Sequence, residues 1–123
     1  MKIIIPHIPD KKMAYAITKS YRKRLVKKGV RFYEYLPGFV HSKAIVSDGK
    51  KAVVGSINVD YRSFYHHFEN GVYMYKTNAV GDVESDILTC LEECREDTLE
   101  VIEKENLFVR MVGAVGRLIA PMI

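Results

Sequence analysis

Hydrophobic positions along this chain change period several times, and each change marks an expected element. Residues 3–5 are an unbroken Ile-Ile-Ile run ended by Pro6, the pattern of a short, fully buried strand. Pro9 and Asp10 then offer a helix start. Met13, Ile17, Tyr21 and Leu25 recur every four residues with basic residues on the other face, which predicts an amphipathic helix closed by Gly29. Residues 30–35 read as a second strand, and strand, helix and strand in that order predict a right-handed parallel unit. After Pro37-Gly38, residues 41–47 and 50–56 are two β-rich runs around Asp48-Gly49, a strong hairpin signal. A further extended run is expected at 69–75. From Asp82 onward the period turns helical, with Val83, Ile87, Cys90, Leu91 and Cys94 on one side. The expected fold class is α/β, a mixed β-sheet flanked by α-helices.

Composition narrows this picture only a little. With 123 residues, 48% of them hydrophobic and 28% charged, the chain can bury one core of ordinary size. No repeat, low-complexity run or Pro/Ser-rich linker divides it, so one folded unit is expected. The opening MKIIIPHIPD has neither the residue order of a signal peptide nor the length of a membrane span. Only Lys2 separates Met1 from the Ile run, which leads to the expectation that the sequence begins inside a strand, as a fragment would. Cys90 and Cys94 are spaced i,i+4, a poor geometry for a disulfide within one helix, and no His or second Cys pair completes a metal site. Reduced thiols packed in the core are expected.

Charge is unevenly spread. Ten Lys and Arg precede residue 32, opposed only by Asp10, whereas residues 82–105 carry ten Asp and Glu against Arg95 and Lys104. The basic stretch suits an anionic partner such as nucleic acid or a phospholipid surface, and it equally suits a solvated helix face balanced by an acidic helix elsewhere.

The hairpin is where chemistry gathers. With Asp48 and Gly49 as the two central turn residues, antiparallel pairing sets Lys43 opposite Val54 and His41 opposite Ser56, with Asn58 diagonal on the same face. Imidazole, ammonium, hydroxyl and carboxamide then converge. Substitution at a phosphodiester needs a nucleophile or proton donor near phosphorus and donors around the non-bridging oxygens. His41 can attack phosphorus or protonate a leaving alkoxide, while Lys43, Ser56 and Asn58 hold the oxygens; no metal or other cofactor is required. Each residue alone has an ordinary structural explanation, as a strand histidine, an edge charge or a turn former. Their joint spacing carries the weight.

That spacing, HSKAIVSDGKKAVVGSIN, fits HxKxxxxDxxxxxxGSxN at every fixed position, and here the chain resembles the phospholipase D superfamily with its His-Lys-Asp motif. DYRSFYHHFE after the motif, IIIPHIPDKK near the start and YEYLPGFVHSK before the motif look more narrowly like the C-terminal half of bacterial cardiolipin synthases. The resemblance covers nearly the whole chain. It implies catalytic roles for His41, Lys43, Asp48 and Glu69 and phosphate binding by Lys43, Ser56 and Asn58. Within that set Asp48 is more structural than chemical, and Glu69 stands where the family places an acidic residue that orients the histidine. The chain departs from the family at His67, where Asn is usual before Phe-Glu, and His66 precedes it.

The resemblance also implies a phospholipase D-like half over residues 1–105 followed by an apolar C-terminal helix over 106–123. It implies transfer of a phosphatidyl group between two phosphatidylglycerol molecules, giving cardiolipin and glycerol. The implied location is peripheral, at the cytoplasmic face of the cytoplasmic membrane. Such sites are assembled from two motifs and this sequence has one, so a second phospholipase D-like half, or a homodimer partner, is expected. In two-motif members the first histidine is usually the nucleophile, which leaves His41 as general acid and base. The apolar tail suits a membrane interface, with Arg110 and Arg117 among anionic headgroups, or a helix packed on the domain. Two rival readings are a homodimeric phosphodiesterase or nuclease acting on nucleic acid, and an inactive lipid-binding fragment.

Overall fold

The structure is a computed structural model that describes residues 1–9, 11–104, 111–113 and 115–116. The chain divides into two compact units, one built from Met1–Val40 and the described residues from Glu93 onward, the other from His41–Glu92.

The first unit begins as expected, with strand β1 (Lys2–Pro6), helix α1 (Lys12–Val26) and strand β2 (Arg31–Tyr35), the two strands parallel with Ile4 opposite Tyr33. Helix α1 opens at an N-cap, Lys11, that supplies no capping side chain; Asp10, expected at this start, lies outside the described residues. It ends before Gly29, whose φ of 88° lies in the left-handed region that glycine tolerates at a helix exit. A third strand, β6 (Cys94–Glu96), adds antiparallel to β2 with Tyr33 opposite Glu96, so the sheet is mixed and ordered β1-β2-β6. The helical period read through Cys94 therefore breaks early. Cys94 is in a strand and does not share a helix face with Cys90; both are half-buried thiols outside any disulfide. A short helix, α4 (Leu99–Glu103), follows, capped by the Thr98 hydroxyl on the Val101 amide.

Ile5, Ala16, Phe32 and Ile102 form the apolar core of this unit. The basic face of α1 is not all solvated: Arg22 is fully buried, donating to Glu34 at 3.2 Å and also to Asp97, both buried. Such a buried charge is tolerable only with partners on both sides. Of the apolar C-terminal helix, 111–113 and 115–116 are helical and the rest of 106–123 lies outside the described residues, Arg110 and Arg117 included. A Cβ on Gly113 would run into the Ala16 carbonyl, and one on Gly116 would meet Ile17 Cγ1 at 2.8 Å, so these glycines face α1. No helix among the described residues is long and apolar enough to cross a membrane.

The second unit is a separate, wholly antiparallel sheet, β3 (Lys43–Ser47), β4 (Lys51–Gly55) and β5 (Gly71–Tyr75), in that order. The single mixed sheet expected from the sequence is thus two three-stranded sheets. Between β4 and β5 lies α2 (Tyr61–Tyr65), and α3 (Asn78–Glu92) follows β5, beginning four residues earlier than its periodicity predicts. Helix α3 contacts all three strands and buries Val80 and Ala52. By register Ala52 shares its face with Val46 and Met74, while Ile45, Val53 and Tyr73 line the opposite face.

Candidate active site

The hairpin turn differs from expectation by one residue. Asp48 and Gly49 both take positive φ, 56° and 57°, and the Lys50 amide donates to the Ser47 carbonyl at 3.1 Å. The ladder then closes at Ser47 opposite Lys51, which leaves Lys50 outside it and sets Lys43 opposite Gly55 rather than Val54. A one-residue slip exchanges the faces of a strand. The pairing of His41 with Ser56 is lost with it, and β3 begins only at Lys43.

The motif residues are gathered by other means. Lys43 reaches back so that its Nζ donates to the His41 carbonyl at 2.6 Å, tying the segment before β3 to the strand. Beyond β4, the Ser56 amide donates to the Asn70 carbonyl at 2.8 Å and the Asn70 amide returns a bond to Ser56 Oγ at 3.0 Å. This double link allows no side chain at Gly55, where a Cβ would sit inside the Asn70 backbone and 2.6 Å from the Gly71 Cα. The motif glycine is a close-approach residue, with no positive φ involved.

Linked in this way, Ser56 gives its hydroxyl proton to Glu69 Oε2 at 2.5 Å, and Ser63 gives its own to Oε1 at 2.7 Å. The Glu69 side chain is 14% exposed. The hydrogen bonds from Ser56 and then Ser63 hold its carboxyl below the usual range against partial burial, and the charges of His67 and Lys43 act in the same direction. Glu69 is therefore an anion at neutral pH. His67 approaches it, with Nδ1 4.0 Å from Oε1 and Nε2 3.1 Å from Arg62. The residue that departs from the family thus sits at the motif's acidic group.

Sequence reading missed Ser63 and Asp60. Ser63 is buried, accepts the Asn58 amide at 3.2 Å and bonds Glu69, so one hydroxyl links both. Asp60 caps α2 by accepting the Ser63 amide at 2.8 Å. The signal was present as Asp60-x-x-Ser63 before aromatic residues, a helix-start pattern. The Asn58 carboxamide makes no hydrogen bond among the described residues and is exposed, as is His41. Asp48 is bonded by Ser47 Oγ at 2.9 Å in the turn, at the far end of a strand roughly 16 Å from Lys43. It shapes the hairpin and does not join the cluster.

What the cluster offers is a carboxylate fixed by two hydroxyls with the Lys43 charge acting on it, the Asn58 backbone tied to one of those serines and the His41 backbone tied to Lys43. That is equipment for binding a phosphate group and moving a proton. Residues 1–90 match the family described as cardiolipin synthase, PLD-like domain. The chain is similar over all its 123 residues to a protein of Streptococcus mutans serotype c named only as uncharacterized, at 46% identity and covering 27% of it. It is 36% identical to a cardiolipin synthase of a Geobacillus strain and 34% to one of Alkalihalophilus pseudofirmus, covering 24% of each. It spans about a quarter of the length of these relatives. The match includes every residue of the motif and its carboxylate support, and on that basis the chain belongs to the cardiolipin synthase family of phospholipase D-like domains.

Proposed function

We propose that this chain supplies one motif-bearing part of a phosphatidyl-transfer site, acting on phosphatidylglycerol to form cardiolipin and glycerol. The observation that carries the reading is the Glu69 anion clamped by Ser56 and Ser63 with the Lys43 charge beside it, inside a fully matched HxKxxxxDxxxxxxGSxN segment. Lys43 and the Asn58 carboxamide hold the non-bridging oxygens first, because Ser56 has given its proton to Glu69 and must rotate to donate elsewhere. A histidine on a second motif-bearing half attacks phosphorus, forming a P–N bond as the P–O bond to glycerol breaks, and His41 hands the departing alkoxide a proton. His41 then takes the proton of the second phosphatidylglycerol's hydroxyl, whose oxygen attacks phosphorus and releases the histidine.

An amphiphilic substrate is favoured by the surroundings. Val59, Phe64, Tyr65 and Phe68, all between Asn58 and Glu69, are more than half exposed, Phe68 completely. Exposed aromatic side chains with Arg62 among them suit the headgroup level of an anionic, peripheral membrane surface.

The test is an assay of the purified chain on phosphatidylglycerol vesicles, with and without an added half carrying the other motif, and with His41→Ala as control. Cardiolipin formed only with the added half and lost in His41→Ala is the expected outcome. Absence of product in both conditions, together with cleavage of a generic phosphodiester or nucleic acid by the chain alone, would replace this reading with the homodimeric phosphodiesterase.

A further inference from the structure

The first unit holds a second constellation that the motif does not use. Glu34 on β2 is 2% exposed, yet five donors surround its carboxylate. Oε1 receives Tyr15 Oη at 3.1 Å and Arg22 at 3.2 Å, with Lys19 Nζ at 3.7 Å; Oε2 receives His7 Nδ1 at 3.1 Å and Arg95 Nη2 at 2.7 Å. Burial pushes this carboxyl up, but the His7 hydrogen bond, the Lys19 charge, the Tyr15 hydroxyl and the Arg22 charge outweigh it and hold the group at about 2. An ionised carboxylate only accepts, so His7 must present Nδ1–H to it, and Nε2 is the nitrogen left for another partner.

The two donors on Oε2 differ from the rest in being open. His7 is 48% exposed and Arg95 50% exposed, whereas Arg22 is fully buried and Lys19 is 17% exposed. Both bond the same oxygen, which sets His7 Nδ1 and Arg95 Nη2 within about 6 Å of one another and leaves His7 Nε2 and the rest of the guanidinium fork as the donors for an anion. Arg95 commits one guanidinium N–H to Glu34 and shows no other side-chain bond among the described residues. Three cationic side chains, Arg22, Lys19 and Arg95, converge on the one Glu34 carboxylate, and Arg22 is bonded to Asp97 as well.

We propose that His7 and Arg95, oriented by the buried Glu34, form an anion-binding corner for a phosphate group in the first unit. Arg95 provides a planar fork of donors and His7 a single donor through Nε2 when protonated. Bound there, the anion and Glu34 flank the imidazolium from opposite sides. The inference stands on the first unit alone and does not require the phosphatidyl-transfer reading. A phospholipid headgroup and a soluble phosphate compound share this chemistry.

The experiment titrates the full chain with inorganic phosphate and follows the His7 ring resonances by NMR, in a Lys43→Ala background that weakens phosphate binding at the motif. A saturable shift of His7 is expected, weakened at least fivefold in Arg95→Gln. Arg95→Lys should give an intermediate value, since it keeps the charge without the fork. Circular dichroism establishes that each variant is folded; both side chains are half exposed, and Arg95→Lys serves if Arg95→Gln does not fold. Sedimentation with phosphatidylglycerol or phosphatidylcholine vesicles separates the sources. Arg95-dependent binding to the former that phosphate competes away identifies a headgroup, and a phosphate shift without such binding identifies a soluble ligand. A His7 resonance unmoved by phosphate and by phosphatidylglycerol, or moved equally in folded Arg95 variants, overturns the proposal.

Discussion

Gly55 shows how a motif residue can be required for space alone. Its missing side chain lets the Asn70 backbone close on β4, and that closure delivers Ser56 to Glu69. We therefore expect Gly55→Ala to cost about 1–3 kcal/mol or more of stability, read as a lowered urea midpoint, because backbone and not a flexible side chain must yield. A variant with wild-type stability would mean that the close approach is absent. Ser63→Ala removes one of the two hydroxyls on Glu69 and the acceptor for the Asn58 amide. The Glu69 carboxyl should then titrate closer to the ordinary range, visible in its side-chain carbon resonance. No change on substitution would show that Ser63 does not bond Glu69 in solution. His41, Lys43, Ser56 and Asn58 were singled out by their spacing, and Glu69 by the family resemblance. Ser63 was not, since its role arises from a buried hydroxyl meeting two segments that no periodicity connects.

At the scale of elements, α1 illustrates a limit of hydrophobic patterning. Its four-residue apolar repeat located the helix, but Arg22 is more buried than Met13, which is 44% exposed. The explanation lies across the sheet, where Glu34 and Asp97 neutralise the guanidinium. Glu34 makes this element pH-sensitive with a definite sign. Its folded value of about 2 is below the ordinary 4.5, so its stabilisation is fully present above 4.5 and is lost as pH falls from there through 2. The lowering is worth on the order of 3 kcal/mol at 1.36 kcal/mol per unit. Urea midpoints measured between pH 6 and 2 should fall across that window, and a flat profile would contradict the assignment. Gly113 packs on the same helix. Gly113→Leu should destabilise the chain by roughly 1–3 kcal/mol, measured by thermal unfolding, because its side chain would displace the Ala16 backbone. Unchanged stability would mean that the 111–116 segment does not rest on α1.

For the molecule as a whole, one face of the second sheet is left open. Ile45 and Tyr73 are 56% and 62% exposed, although the other face is covered by α3. Under the proposed function this chain meets either a second half or a second copy. Sedimentation equilibrium should show self-association of the chain alone that Ile45→Lys with Tyr73→Lys reduces. A strictly monomeric chain that also fails to take up an added half would count against assembly through this face. What local sequence settled was the set of elements with strong periods, the Asp48-Gly49 turn and the family motif, since these depend on short-range spacing. What folding in three dimensions decided was the one-residue register of the hairpin, the division into two sheets, the strand at Cys94 and the bonding of Glu69 to two serines. Each of these depends on which distant segment fills a hydrogen-bonding edge or lies against a buried charge, and a chain read residue by residue holds no record of that competition.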